Sequence, residues 1–135
     1  MKTIRAKVLV VDDDADYREA VTAILESASY EVVTASNIEE ATQRILAEKP
    51  AIILLDIMMD SLFDGYSLCH AIRNGEKFAA VRATPIIFVS AVRRIAGSRF
   101  GFKGEDQGLT GPDDYIDKPI EPKDLLARIE RFLAK

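Results

Sequence analysis

Acidic, hydroxyl and basic residues stand at the ends of several apolar runs in this chain. They are Asp12 and Asp13 after residues 8–11, Asp56 after 52–55, Ser90 after 86–89, and Lys118 just beyond 115–116. If these runs are neighbouring parallel strands, their carboxyl ends meet at one edge of a sheet. Carboxylates, a hydroxyl and an ammonium converging there would suit a divalent cation and a phosphoryl group.

The elements that must position these residues follow from the hydrophobic pattern. Short apolar runs at 8–11, 31–34, 52–55, 86–89 and 115–116 predict five strands. Between them lie apolar residues at helical spacing: Tyr17, Val21, Ile24 and Leu25; Ile38, Ala41, Ile45 and Leu46; Tyr66, Leu68, Cys69 and Ile72; and finally Leu125, Leu126, Ile129, Phe132 and Leu133. Strands alternating with helices predict an α/β fold, a doubly wound five-stranded parallel sheet with both faces covered.

Local signals set the helix boundaries. Ser36 with Glu39 three residues on predicts a capping box at the start of the second helix, and Pro50 ends that helix. Asn74-Gly75 predicts the end of the third helix. Pro122 occupies a plausible first position of the last one.

A glycine-rich segment interrupts the alternation. Five of the seven glycines lie between Ser90 and Tyr115. Each glycine inside a helix costs about 1 kcal/mol relative to alanine. We therefore expect this segment to stand in place of a full fourth helix, with at most a short helical piece near 92–96 and then a mobile loop up to about residue 112.

Composition limits the class of protein. The 135 residues, 48% hydrophobic and 30% charged, suit one domain spanning 1–135. The net charge of -4 argues against direct binding of nucleic acid, and the absence of a long apolar stretch argues against a membrane span or a secretory signal. The single cysteine, Cys69, fits a reducing compartment, so we expect a cytoplasmic protein in which Cys69 is a small core residue.

The acidic residues suit Mg²⁺, which is commonly held by one or two carboxylates, waters and phosphate oxygens. Asp13 and Asp56 could supply oxygens directly, Asp12 could act through water, and a backbone carbonyl just after Asp56 could complete the protein ligands. Lys118 would neutralise phosphate charge, and the Ser90 hydroxyl could donate a hydrogen bond to a phosphate oxygen.

Four stretches resemble the signatures of response-regulator receiver domains of two-component signalling. They are Val10-Val11-Asp12-Asp13-Asp14, Leu54-Leu55-Asp56-Ile57-Met58-Met59, Val89-Ser90-Ala91 and Asp114-Tyr115-Ile116-Asp117-Lys118-Pro119. Together they span nearly the whole chain in the family's order, as in single-domain receivers similar to the chemotaxis regulator. Two departures stand out: Asp60 occupies the family's usual proline position, and the interval from Ser90 to Lys118 is several residues longer than usual.

The resemblance implies a flavodoxin-like strand order 2-1-3-4-5 and a set of residue roles. Asp56 would be the phosphorylated aspartate, and Asp12 and Asp13 would bind Mg²⁺ together with the Met58 carbonyl. Ser90 and Lys118 would contact the phosphoryl group, Tyr115 would be the aromatic switch residue, and the Lys118-Pro119 bond would be cis.

The leading hypothesis is a phosphoacceptor signalling module rather than an enzyme with turnover. Asp56 would receive a phosphoryl group from a phosphohistidine of a sensor histidine kinase or phosphotransfer protein, the first helix near 16–21 being the docking surface by resemblance. Ser90 and Tyr115 would then shift and alter a face that binds an unknown downstream protein. Provided the chain is complete, that output must be a protein contact.

Three alternatives stay open. A small phosphatase of the haloacid-dehalogenase type would use Asp12 or Asp14 as its nucleophile, although that interpretation leaves Asp56 without a role. A receiver-like scaffold that is never phosphorylated would bind partners only. A nucleotide-binding Rossmann module is disfavoured because no glycine-rich turn follows the first strand.

Overall fold

The computed structural model describes residues 5–56, 64–90 and 112–134. Its strands are β1 (Lys7–Val11), β2 (Glu31–Ala35), β3 (Ile52–Asp56), β4 (Ile86–Ser90) and β5 (Asp114–Asp117). Its helices are α1 (Ala15–Ser27), α2 (Ile38–Glu48), α3 (Asp64–Asn74), a 3-10 helix (Glu76–Val81) and the C-terminal helix (Pro122–Leu133). The 3-10 helix was not predicted.

The strands form one parallel sheet in the order β2-β1-β3-β4-β5, which confirms the predicted fold class. After β1 the chain moves outward to β2, whereas after β3 it moves in the opposite direction to β4. The carboxyl ends of β1 and β3 therefore flank the point where the winding reverses, the usual place for a ligand site in such sheets.

Both faces of the sheet are covered, which explains the continuous apolar runs. One core lies under α2, α3 and the 3-10 helix; its buried strand residues are Leu9, Val11, Ala35, Ile53, Leu55, Ile86 and Phe88. The other lies under α1 and the C-terminal helix; its buried strand residues are Val8, Val10, Ile52, Leu54, Ile87, Val89 and Ile116. Successive strand residues thus alternate between the two cores, because side chains of a strand point to opposite faces.

The start of α2 corrects the predicted capping box by one residue. Asn37, not Ser36, is the N-cap, and its side-chain oxygen accepts a hydrogen bond from the Glu40 amide at 2.7 Å. Glu40, not Glu39, reaches back: its Oε1 accepts hydrogen bonds from the Ser36 amide at 2.7 Å and the Ser36 hydroxyl at 2.9 Å. Two overlapping cap patterns are present here, Ser36 with Glu39 and Asn37 with Glu40, and asparagine is as good an N-cap as serine.

The end of α3 depends on a glycine, as the sequence predicted. The Gly75 amide donates to the Ala71 carbonyl at 2.6 Å. A Cβ at Gly75 would lie 2.7 Å from that same carbonyl oxygen, closer than side chains tolerate. Only glycine therefore allows α3 to end with this close approach and pass into the 3-10 helix.

Arg73, near the end of α3, holds together the starts of β4 and β5. Its guanidinium donates to the carbonyls of Arg82 and Thr84 and pairs with Asp113 Oδ2 at 2.7 Å. Asp113 Oδ2 also accepts the Ile86 amide at 2.8 Å, and the Asp113 amide donates to the Ile86 carbonyl. We call Arg73, Asp113 and Ile86 the β4–β5 clamp. It fixes where the chain enters the last strand.

The glycine-rich segment lies outside the described residues over 91–111, so its predicted loop stays a prediction. None of the helices within the described ranges combines the length and apolar character needed to cross a bilayer.

Neighbouring residues of α2 provide a test of the core. Ile45 is fully buried, whereas Leu46 is 37% exposed. We expect Ile45→Ala to lower the free energy of unfolding by about 2–5 kcal/mol because it leaves a cavity. Leu46→Ala should cost less than about 1 kcal/mol. Urea denaturation of both variants checks this, and equal losses would show that α2 does not pack as described.

Cys69 provides a second test. Burial raises the pKa of its thiol to about 11, and only the thiolate is a good nucleophile. At about pH 8 the native protein should react with a thiol reagent far more slowly than the urea-unfolded protein. Because the folded pKa exceeds the unfolded one, the thiol's contribution to stability is intact below about pH 8.5 and declines as the pH rises toward 11. Equal reaction rates in the native and unfolded protein would contradict the burial.

Candidate functional site

Three carboxylates meet at the carboxyl edge of the sheet. Asp12 follows β1 directly, Asp13 comes next in the chain, and Asp56 is the last residue of β3. One carboxylate oxygen from each lies within 4.8 Å of the others. Asp12 and Asp56 are buried, at 1% and 4% exposure, while Asp13 is exposed. The cluster therefore has two oxygen donors set into the protein and one facing solvent.

Lys118, just past β5, brings a positive charge to the same cluster. Its Nζ lies 2.9 Å from Asp12 Oδ2 and 3.6 Å from Asp56 Oδ2. Its side chain is 21% exposed. Asp12 and Lys118 are 106 positions apart in sequence, and β3 and β4 lie between their strands, yet the Lys118 side chain reaches Asp12 along the carboxyl edge of the sheet.

The backbone around Asp12 holds that residue in place. Its amide donates to the Ala35 carbonyl at the end of β2 at 3.1 Å. Its Oδ1 accepts the Asp14 amide at 2.9 Å, and its carbonyl accepts Arg18 Nη1 at 2.6 Å. Asp14 in turn caps α1, since its side chain accepts from the amides of Asp16 and Tyr17. Asp14 therefore stabilises the N-terminus of α1, and Asp16 adds a second negative charge in its first turn.

Tyr17 and Arg18 were missed as site residues. Tyr17 was assigned only to the core-facing side of α1, yet its ring lies beside Lys118, with Nζ 4.2 Å from the ring centroid. Burial, and next the negative charges of Asp12 and Asp56, raise the pKa of Tyr17. Tyr17 and Arg18 lie in the first turn of a helix that starts shortly after the acidic pair, and this position is the signal that could have identified them as site residues.

Tyr115, in β5, packs within an aromatic row that leads away from the site. Its ring meets Phe88 edge-on with centroids 5.7 Å apart, and Phe88 meets Tyr66 of α3 edge-on at 5.0 Å. Burial and a hydrogen bond with Tyr115 raise the pKa of Tyr66. The row Tyr115, Phe88 and Tyr66 therefore joins the neighbourhood of β5 to α3.

The other predicted site residues are only partly placed. Ser90 ends β4, in register with Asp117 of β5, so its backbone lies at the same edge of the sheet. Its side chain and all of Met58 fall outside what the structure describes. The Lys118-Pro119 bond is cis, as predicted.

The donor set suits a hard divalent cation. Carboxylate oxygens are the ligands that Mg²⁺ prefers, and no sulfur or imidazole ligand takes part in the described cluster. Three carboxylates and one ammonium leave two negative charges, which a divalent ion would balance. The same arrangement places an ammonium beside Asp56, where it could face an anionic group.

Two curated proteins resemble this chain in sequence. The chain is 37% identical over 134 residues to the transcriptional regulatory protein ResD of Bacillus subtilis, and 36% identical over 133 residues to the phosphate regulon transcriptional regulatory protein PhoB of Pseudomonas aeruginosa. These alignments cover 99% and 95% of this chain but 50% and 52% of the relatives, so the chain spans about half the length of the curated relatives it matches.

A solved structure and a family model show the same similarity. The chemotaxis response regulator CheY4 of Vibrio cholerae superposes with a TM-score of 0.75 at 27% identity, covering 96% of this chain and 99% of that one. A family model described as the response regulator receiver domain matches residues 8–130. The chain therefore belongs to the response regulator receiver domain family.

Proposed function

We propose that the chain is a phosphoacceptor signalling domain in which Asp56 receives a phosphoryl group from a phosphohistidine of a sensor kinase or phosphotransfer protein. The observation that carries the proposal is the placement of Lys118 Nζ between buried Asp12 and Asp56, with Asp13 completing the acidic cluster. Family membership supports the same reaction.

Asp56 would act as the nucleophile. A carboxylate oxygen of Asp56 forms a bond to phosphorus while the phosphorus–nitrogen bond of the donor breaks, and that electron pair returns to the imidazole nitrogen. The product is an acyl phosphate on Asp56. The transition state is loose, with negative charge on the equatorial oxygens, so catalysis requires positioning and positive charge more than proton transfer.

The remaining residues supply that positioning and charge. Asp12, Asp13, Asp56 and the Met58 carbonyl would hold Mg²⁺, which when bound supplies charge neutralisation at the phosphoryl oxygens. The Lys118 ammonium would face those oxygens from the β5 side, and the Ser90 hydroxyl would donate to one of them. Arg18 keeps Asp12 oriented by donating a hydrogen bond to the backbone carbonyl of Asp12.

The signal would leave through Ser90 and Tyr115. A new dianion on Asp56 would draw Ser90 inward, and Tyr115 would follow, changing its contacts with Phe88 and Tyr66. We propose a protein-binding face as the output and a cytoplasmic setting. The relatives named as transcriptional regulators are about twice as long as the part that matches this chain, so the role in their names is not assigned to this chain.

The alternatives gain no specific support. The haloacid-dehalogenase interpretation gave Asp56 no role, whereas Asp56 is one of the three carboxylates of the cluster. Asp14, its other candidate nucleophile, uses its side chain to cap α1. The scaffold that is never phosphorylated is the main alternative. Reaction with a phosphodonor distinguishes the two, because only the phosphoacceptor would form an adduct.

The phosphoacceptor can be identified by mass. Incubation with a small acyl phosphate and Mg²⁺ should add one phosphoryl group to the wild type and none to Asp56→Asn. Asp16→Asn is the matched control, because Asp16 is an exposed carboxylate nearby and should leave the adduct unchanged. An adduct that survives in Asp56→Asn would overturn the assignment, and no adduct on the wild type would favour the scaffold.

Lys118 can be tested by two effects of opposite sign. Lys118→Ala removes a positive charge close to two buried carboxylates. We expect Mg²⁺ to bind several-fold more tightly, because the cluster becomes more negative, and phosphorylation to slow by at least about tenfold, because charge stabilisation is lost. Calorimetric titration and the rate of adduct formation measure the two effects.

Lys123→Ala is the control for this experiment. Lys123 is exposed on the first turn of the C-terminal helix, and its loss should change neither quantity. If Lys118→Ala weakened cation binding, the charge argument for this site would be wrong.

A further inference from the structure

The ammonium of Lys118 has a third neighbour besides the two carboxylates. Its Nζ stands 4.2 Å from the centroid of the Tyr17 ring. Tyr17 lies in the first turn of α1, and the same ring lines a cavity of about 480 Å³ with Val21, Ile24, Pro119 and Ile120. The ammonium is therefore bounded by negative charge on one side and by an aromatic ring on another.

This contact has the geometry of a cation–π interaction. The face of an aromatic ring is electronegative and attracts an ammonium within about 6 Å, more strongly when water is partly excluded. Lys118 is 21% exposed, so much of its hydration is already replaced by protein. A lysine side chain otherwise has many rotamers, and holding it in one of them costs conformational entropy.

The hydroxyl of Tyr17 takes no part in the contact between its ring and the ammonium. It is buried and, among the described residues, has no hydrogen-bond partner. A phenylalanine would keep the ring face and remove only the unpartnered polar atom. A leucine would keep most of the apolar volume and remove the π face.

We infer that Tyr17 is a positioning residue for phosphoryl acceptance: its ring holds Lys118 Nζ between Asp12 and Asp56 so that the ammonium faces the incoming phosphoryl oxygens. This inference rests on the proposed function of Asp56. It adds that α1 contributes to the reaction through Lys118, in addition to packing on the sheet. Tyr17 itself touches no reacting atom.

A purely structural role for Tyr17 makes a different prediction. If Tyr17 only filled space, its effect on the reaction would not depend on the presence of Lys118. If it acts through Lys118, the effect of losing the ring disappears once Lys118 is absent, because interacting residues are not additive. A double-mutant cycle therefore separates the two roles.

The kinetic experiment uses the wild type, Tyr17→Phe, Tyr17→Leu, Lys118→Ala and the double variant Tyr17→Leu with Lys118→Ala. The rate of adduct formation with a small acyl phosphate and Mg²⁺ should be unchanged in Tyr17→Phe. It should fall by roughly 3- to 10-fold in Tyr17→Leu, the range of a partly desolvated cation–π contact. In the Lys118→Ala background, Tyr17→Leu should have no further effect.

Ile24→Val is the matched control. Ile24 lines the same cavity on the same helix, and its aliphatic side chain has no charge or π face that could attract an ammonium. Its substitution should leave the rate unchanged, which would show that the loss in Tyr17→Leu does not come from a disturbed cavity.

A spectroscopic readout keeps the test valid if Tyr17→Leu folds poorly. In the wild type, the ε-methylene protons of Lys118 should be shifted upfield by the ring current of Tyr17, and Tyr17→Phe should retain that shift. Ordinary shifts in both proteins would overturn the inference without any reaction being measured.

The outcomes also separate this inference from the proposed function. No adduct on the wild type would overturn both together. An adduct on the wild type that forms equally fast in Tyr17→Leu would overturn the role of Tyr17 and leave Asp56 as phosphoacceptor. An equal loss in the presence and absence of Lys118 would also overturn it, since Tyr17 would then act independently of the ammonium.

Discussion

The ammonium of Lys118 between two buried carboxylates is the interaction on which the site depends. Asp12 and Asp56 are nearly inaccessible to water, and two such charges at close range would repel each other. Lys118 offsets part of this repulsion, and the hydrogen bond that the Asp14 amide donates to Asp12 Oδ1 offsets a further part. The cluster still carries excess negative charge. That excess favours the binding of a divalent cation, and under the proposed function it would repel an anionic donor until a cation is bound.

The parallel sheet makes this arrangement possible. The carboxyl ends of all five parallel strands lie at the same edge, so residues far apart in sequence meet there. Apart from Lys7, all residues of β1 and β3 are buried, and the two faces of these strands pack against separate cores. Rigid strands set the carboxylates with little freedom, which is the condition for electrostatic preorganisation.

The sequence was sufficient for the sheet, for most helix boundaries and for the acidic cluster, because each depends on a strong local pattern or on strand ends. It misjudged the start of α2, where two overlapping cap patterns compete and only the folded geometry chooses Asn37 and Glu40. It did not predict the 3-10 helix, a short element with no periodicity to reveal it. It also missed the contact of Tyr17 with Lys118, because an aromatic residue on the inner side of a helix is ordinarily a core residue, and its neighbour comes from the other end of the chain.

The β4–β5 clamp bears on how this chain accommodates extra sequence. Arg73 and Asp113 hold the entrance of β5 to that of β4, and the paired strands then carry the backbone to Ser90 and Lys118. The ends of the segment between Ser90 and Pro112 are thus held by the sheet and by α3, and this would hold for a segment of any length. For a flexible connection between fixed ends, each doubling of its length would cost only about 0.6 kcal/mol. Insertions and deletions here would be tolerated in evolution while the reacting groups keep their spacing.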